Sequence, residues 1–439
     1  MVTIMMLACN ECDIIKAAIQ SFRLFSDIDI SFILIDNCST DGLQEWASGQ
    51  ADLTYVLMDE GPIGWGKAVN MVKKELAIDT DILITEGNYM LTPQCLSRMV
   101  KVLHEEKDIA GVCGSVSEVI DYGQLIELSN EAKYAGRKKV MRLDSGAMLW
   151  KKEALEEVGN FDEELHMWPR VMDDYCLRMI QADKTLLMCS NVLFGEVKVE
   201  NNIKYEKEDK DLLGHKWQMH YFNSVYNPNI IPLLNAQADK EITVLELGCD
   251  CGATLLEIKH RFPNAKVYGT EVNPQAASIA AHFAQVTVNN IEEKNLPFQE
   301  GMFDYIIFGD VLEHLHNPLE ILEYCRRFLN EEGEILASIP NLMHISVIEQ
   351  LLHGNFTYTD TGLLDKTHIH LFTYNEIVRM FDEAGYDICE IRSCRYMKVN
   401  DRQRQLIDKL LSIDSAAQSF MYETCQYAVR AGKRRIGCR

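Results

Sequence analysis

The chain has 439 residues, 47% hydrophobic and 25% charged, an ordinary globular composition on more chain than one core usually serves, so at least two domains are expected. With 43 Lys and Arg against 66 Asp and Glu, the net charge of -23 repels a phosphate backbone and excludes nucleic acid as a natural partner. No run approaches the roughly 18 apolar residues of a membrane helix, and the apolar opening has neither a basic flank nor a small-residue cleavage site, so a buried first strand and a cytoplasmic chain are expected.

Short apolar runs alternate with amphipathic stretches, the pattern of parallel sheets covered by helices. Strands are expected at 3–8, 32–36, 54–58, 82–85, 109–113, 147–150 and 185–189. A charge-rich stretch and an Asn/Pro-rich one then interrupt the pattern, which places a linker at 201–235 after a first domain at 1–200. The pattern restarts with strands at 243–247, 266–270, 285–288, 305–308 and 334–338, giving a second domain at 236–395 and a helical extension at 396–439. The 14 cysteines are scattered. The close pairs Cys9/Cys12 and Cys249/Cys251 lack a second pair at zinc spacing, so reduced thiols are expected. The basic run Lys433, Arg434, Arg435 reads as a solvated end.

In the first half, Asn10-Glu11 follows the first strand and Ile33-Leu-Ile-Asp-Asn-Cys-Ser-Thr-Asp-Gly42 carries the second into its loop. Gly64-Trp-Gly-Lys-Ala-Val-Asn70, Asp144-Ser-Gly-Ala-Met-Leu149 and Gly159-Asn-Phe-Asp-Glu163 come later. This order resembles the family 2 glycosyltransferases of nucleotide-diphospho-sugar (GT-A) fold over residues 2–195. The resemblance implies that Asn10, Glu11, Asp36 and Asn37 cradle the base and ribose of a nucleotide sugar, with Lys67, Asn70, Glu86 and Asn88 also on that substrate. A plainer reading is compatible with it: a strand-end turn whose Ser and Asp cap the next helix.

Such transferases need an acidic pair to hold Mn2+ or Mg2+ against the diphosphate and a carboxylate to deprotonate the acceptor. Glu86 and Asn88 occupy the metal positions, with Asn88 where the family has its key Asp. The base motif reads Val171-Met-Asp-Asp-Tyr-Cys-Leu-Arg178, with Val171 and Met172 in place of Glu-Asp, which leaves Asp173 and Asp174 as candidate bases. Gly195 stands where a His often ends the next strand, beside Glu196. Two readings stay open: an active transferase with rearranged acids, or a degenerate domain that binds a nucleotide sugar, a glycan or a partner.

In the second half, Val244-Leu-Glu-Leu-Gly-Cys-Asp-Cys-Gly252 is an apolar strand, a glycine turn and the start of a helix, and Glu271 ends the next strand about twenty residues on, where an acid can accept both hydroxyls of a ribose. These residues resemble the class I S-adenosylmethionine methyltransferases, with a Rossmann-like sheet, over roughly 221–392. The resemblance implies S-adenosylmethionine as cofactor, with Glu246, Gly248 and Gly252 around its methionine part, Glu271 at its ribose, and Cys249 and Val272 as further cofactor-binding positions. Asn290 and Ile291 fall at its adenine, and Asp310 and Val311 follow the fourth strand. Asp250 stands where the family has glycine, tolerable if a positive φ is needed there.

Asp304-Tyr-Ile-Ile-Phe-Gly-Asp-Val-Leu-Glu-His-Leu315 and Ser338-Ile-Pro-Asn341 match the fourth and fifth strands and their exits. The stretch from Gly354 to Thr373 resembles a signature of methyltransferases attached to glycan-synthesis enzymes. His314, His344, His368 and Asp365 are candidate bases for a hydroxyl acceptor. The expectation is a methyltransferase acting on a sugar or glycan-linked acceptor, fused to a nucleotide-sugar transferase domain whose acceptor is a glycan or glycoprotein. The alternative is a binding protein without chemistry.

Overall fold

The computed structural model describes residues 1–59, 61–119, 136–143, 146–199, 205–219, 222–413 and 416–434. They form two compact units, Met1–Ser224 and Val225–Arg439. No helix among the described residues is long and apolar enough to cross a membrane.

The first unit is built on strands β1 (Val2–Ala8), β2 (Ile30–Asp36), β3 (Thr54–Leu57), β4 (Asp81–Glu86), β5 (Tyr89–Leu91), β6 (Ile109–Glu118), β7 (Arg137–Lys139), β8 (Ala147–Trp150) and β9 (Thr185–Glu196). Their order is β3-β2-β1-β4-β8-β6-β9-β5, with β7 added on β9. Every residue of β1 is buried, as expected of a parallel strand covered on both faces. It pairs in parallel with β2 on one side and β4 on the other. The chain order reverses between β1 and β4, which opens a crevice at their carboxyl ends. Asn10, Glu11, Asp36 and Glu86 all lie on that edge.

The second unit contains β10 (Thr243–Leu247), β11 (Lys266–Glu271), β12 (Gln285–Val288), β13 (Phe303–Gly309), β14 (Leu329–Pro340), β15 (Tyr386–Cys394) and β16 (Gln426–Lys433), ordered β12-β11-β10-β13-β14-β16-β15. The strands β10 to β14 run parallel and β16 is antiparallel to both its neighbours. Here the reversal lies between β10 and β13. The Gly248–Gly252 turn, Glu271, Asn290 and Asp310 all follow strand ends on that edge.

Two expectations about domain limits are corrected. Residues 396–439 are not a helical extension: after helices Asp401–Ile413 and Ser419–Glu423, the chain enters the sheet as β16. Tyr427, Val429 and Ala431 are buried there. The charge that disguises this strand, Arg430, is matched by Glu334 of β14 and Glu390 of β15. Most of 201–235 is likewise folded. Helix Glu206–Trp217 is anchored to the first unit by Asp209, whose carboxylate accepts from the backbone N–H groups of His166 and Met167. Ile230, Ile231 and Leu233 enter the core of the second unit.

Candidate functional site

In the second unit, the turn after β10 takes positive φ at Gly248 (66°), Asp250 (47°) and Gly252 (88°). Asp250 therefore adopts the left-handed conformation that the family's glycine would supply, at a cost of about 1 kcal/mol. Gly252 opens helix Ala253–Arg261, and a Cβ there would stand 3.0 Å from that of Ala280, so the glycine also lets two helices close up. Glu271 is held from two sides: its Oε2 accepts the Asp250 N–H at 2.9 Å and its Oε1 the Asn273 N–H at 2.8 Å. The acid is thus fixed at the strand end with lone pairs to spare.

Behind the turn, the Glu246 carboxyl is buried and its Oε2 has no hydrogen-bond partner. Burial, with Asp250 and Glu271 close by, pushes it up to about 8, and burial lifts Asp250 to about 6. Three acids crowded on a glycine cradle fit a cationic ligand. Asp310 (φ 56°) is the hub of a polar floor, accepting from Asn227 at 3.1 Å, from Ser338 at 2.7 Å and from Gln426 at 2.9 Å. The Val311 Cγ2 lies 3.0 Å from where a Gly248 Cβ would be, so Val311 walls the turn.

The remaining expected positions divide. Val272 is 61% exposed beside Glu271, an apolar surface open to a ring. Asn290 is exposed and caps the short turn after β12 by accepting the Glu292 N–H. Ile291 is buried in the core, and Cys249 packs with its sulfur against Gly269 in the core on the turn's inner side. Both support the site from behind.

On the acceptor side, His314 and His368 come together with ring centroids 4.9 Å apart. His314 Nδ1 lies 3.1 Å from the Thr367 carbonyl oxygen, and Asp365 accepts from the Thr367 N–H at 2.8 Å, which shapes the segment that delivers His368. Glu313 joins them, one of its oxygens within 4.8 Å of a nitrogen of each ring; it is 1% exposed, with an unpartnered Oε2. Burial, with Asp310 and Asp365 nearby, pushes its carboxyl well up. Glu313 stands in the Asp304–Leu315 string but is not among the residues expected at the site, because an acid next to a buried leucine carries no local sign of its partners. His344 does not join the group. It caps helix Ile345–Leu352, its ring accepting from Ser346 N–H, and is 2% exposed, which removes it from the candidate bases.

In the first unit, Asn10 and Glu11 take consecutive left-handed φ values of 62° and 63°, strain of the kind that persists at ligand-binding turns. The loop after β2 clamps them: the Asn10 N–H donates to Ser39 Oγ at 2.7 Å, and Asn10 Oδ1 accepts the Thr40 N–H at 2.9 Å. Asp41 accepts the Cys12 N–H at 2.6 Å. The string's acid therefore caps helix Cys12–Phe25 across the sheet edge, and not the helix that follows it. Asp36 is fully buried, accepting from Ser39 N–H and the Tyr55 hydroxyl. Asn37 is spent on both backbone groups of Ile63.

The Gly64–Asn70 and Gly159–Glu163 motifs turn out to be each other's packing partners. Asn70 donates to the Phe161 carbonyl and to Glu163 and accepts the Phe161 N–H, so its side chain is fully used and buried. This corrects its expected place on the substrate. Lys67, one turn earlier, is exposed. Asp144 and Ser145 lie outside the described residues.

The candidate bases of this half are corrected too. Asp174 is 0% exposed and accepts from Arg178 at 2.8 Å and Trp217 Nε1 at 3.0 Å, with Lys216 at 2.7 Å. Asp173, 2% exposed, pairs with Arg170 at 2.6 Å and Arg142 at 3.1 Å. Carboxylates so enclosed hold helices together and face no acceptor. At the metal position the Asn88 amide donates to the Val197 carbonyl. Glu86 is pushed up to about 7 by burial and by the charge of Glu196 at the end of β9. With a neutral Asn88 tied to the backbone, these residues do not make the acidic metal pair that the resemblance implies.

The sequence patterns of known families agree with this division. Residues 3–158 match glycosyl transferase family 2 and residues 219–391 match a methyltransferase domain. Among curated proteins, the methionine S-methyltransferase of Zea mays is 30% identical over 105 residues, 24% of this chain and 9% of that protein. The mitochondrial ubiquinone biosynthesis O-methyltransferase of Dictyostelium discoideum is 26% identical over 185 residues, 39% of this chain and 56% of that protein. The chain thus spans from a tenth to about half the length of these relatives. One similar solved structure is GalNAc-T7 with UDP, GalNAc and Mn2+, at 12% identity, covering 45% of this chain and 44% of that one with a TM-score of 0.37. The chain carries two transferase domains, a GT-A-like glycosyl transferase family 2 domain and a Rossmann-like methyltransferase domain.

Proposed function

We propose that the second unit binds S-adenosylmethionine across the carboxyl edge of β10, β11 and β13 and methylates a hydroxyl of a sugar or sugar-linked acceptor. The observation that carries this reading is Glu271, pinned by the Asp250 and Asn273 N–H groups beside the Gly248–Gly252 turn, with the unpartnered Oε2 of Glu246 beneath it. When bound, the cofactor supplies an electrophilic methyl group on a sulfonium. Glu271 orients the ribose, and Val272 and Asn290 flank the adenine. The glycine turn admits the methionine part, and Glu246 and Asp250 meet its positive charge. The Asp310 floor faces the reacting end, and the acceptor oxygen is met by the segment of Glu313, His314 and His368. Alignment does most of the work in a direct displacement.

The first unit is proposed as a domain that binds a nucleotide sugar or glycan at the β1/β4 edge with its own transfer chemistry impaired. The enclosure of Asp173 and Asp174 and the neutral Asn88 favour this over an active transferase. The sugar acceptor for methylation follows from this pairing of domains.

Radiolabelled methyl transfer from S-adenosylmethionine to a panel of nucleotide sugars and oligosaccharides tests the reading. Label should move to a sugar-bearing acceptor. Label moving to phenols or amines and to no sugar would remove the sugar acceptor.

A further inference from the structure

We propose that Glu313, His314 and His368 form a binding site for a divalent transition-metal ion beside the methyl-transfer edge, which holds and ionises the acceptor hydroxyl. The inference deepens the methyltransferase reading and rests on it for the role of the ion, while the site itself stands on geometry.

One ligand atom from each of the three side chains lies within 4.8 Å of the others. Ligands about 2.1 Å from a tetrahedral ion are about 3.4 Å apart, so side-chain rotations of an ångström or so close the set. Two imidazoles and a carboxylate are a donor set suited to Zn2+, Co2+ or Fe2+ and poorly suited to Mg2+ or Ca2+. Glu313, 1% exposed, directs an unpartnered Oε2 into a place with no cation of the protein bonded to it. His368 Nδ1 is buried and makes no close hydrogen bond, although its ring also faces the Leu363 backbone. Buried polar atoms are normally satisfied, and an unsatisfied one on each of two members of this cluster of three side chains is what a ligand would satisfy.

The surroundings suit an ion as well. With Nδ1 of His314 donating to the Thr367 carbonyl, Nε2 is left with its lone pair free, the way backbone carbonyls commonly fix a metal-binding imidazole. The Glu313 carbonyl accepts from the N–H groups of Ile369 and His370, which ties the strand-four loop to the segment that carries His368.

Three protein ligands leave a position open for an acceptor oxygen. Coordination lowers the pKa of that hydroxyl, and its proton leaves to water. The oxygen's electron pair then forms the bond to the methyl carbon while the carbon–sulfur bond breaks, its pair going to sulfur as a neutral thioether.

The test uses the full chain, stripped with a chelator and titrated with Zn2+ by calorimetry, then with Co2+ while visible absorption is followed. One equivalent of either metal should depend on these residues, with Co2+ giving ligand-field bands of a nitrogen-containing site. His314→Ala and His368→Ala should each weaken that equivalent by at least about 100-fold, and Glu313→Gln should weaken it while keeping the side chain's shape. Circular dichroism checks that the variants fold, and His368→Asn serves if the Ala variant does not. A folded wild type that binds neither metal, or variants that bind as tightly as the wild type, overturns the site. S-adenosylmethionine binding, measured separately, distinguishes the two claims: metal bound without the cofactor defeats the methyltransferase reading and upholds the site, and cofactor bound without metal does the reverse.

Discussion

The two units treat the acids expected to do chemistry in opposite ways: those of the second lie at the carboxyl edge where strand order reverses, whereas Asp173 and Asp174 of the first lie on helix Trp168–Gln181. In the second unit Glu246 and Glu313 are buried and Asp250 half-buried, none of them ion-paired among the described residues, and burial raises all three. In the first unit the acids expected to do chemistry, Asp173 and Asp174, are met by Arg142, Arg170, Arg178 and Lys216. An acid left without its counter-ion is held ready for a ligand, whereas an acid given an internal one is spent on structure. Glu86, pushed up to about 7, is the exception in the first unit and marks the part of its edge that stays available.

The largest effect that could break this contrast is on stability against pH. Glu246 goes from 4.5 to about 8, so over that interval the folded second unit holds a proton that the unfolded chain has lost. Its contribution to stability is full below the unfolded value and is lost as pH rises through the folded one, at up to about 1.4 kcal/mol per pH unit. The expected outcome is a thermal midpoint for the fragment Val225–Arg439 that falls between about pH 5 and 8 and flattens in Glu246→Gln. A curve equally steep in the variant would place the proton elsewhere, on Glu313 or Asp250. Asp162 of the first unit has the opposite sign. Burial pushes it up, but Lys216 and the Glu164 backbone outweigh that and lower it, so its stabilisation is present at neutral pH and lost in acid.

Next in size is Asp174→Asn, which strips a counter-charge from Arg178 and Lys216 inside the first unit and should cost about 3 kcal/mol in chemical denaturation. If the aspartate were instead a base facing an acceptor, stability would hardly move while sugar transfer collapsed. Asn70→Ala should cost about 2 kcal/mol by leaving the Phe161 N–H and carbonyl unpaired. It should leave nucleotide-sugar binding intact, and a loss of that affinity at unchanged stability would restore Asn70 to the substrate. The smallest expected effect is Arg430→Met, whose neighbours Glu334 and Glu390 reach solvent, at about 1 kcal/mol.

What the sequence made legible is what is local. The Gly248–Gly252 turn and Glu271 could be read because a strand, its turn and its end-acid lie within one βαβ stretch, and Asp250 showed its strain by replacing a glycine. The fate of Asp174 was not legible, since it depends on Lys216 and Trp217, which arrive on a helix some forty residues later. β16 was hidden for the same reason: Arg430 looks like a surface charge until Glu334 and Glu390 are seen on the strands beside it. Asn70 and Phe161 lie in two separately recognised motifs, and neither by itself reveals that the other is its partner.

The central claim, that the second unit keeps its edge acids for S-adenosylmethionine, is tested most directly by calorimetric titration of the intact chain with that cofactor, wild type against Glu271→Ala. The account predicts one equivalent bound by the wild type and affinity at least about 100-fold weaker in the variant, since two hydrogen bonds to a charged acceptor are lost. Heat of equal size and affinity in both, or none in a folded wild type, would contradict it.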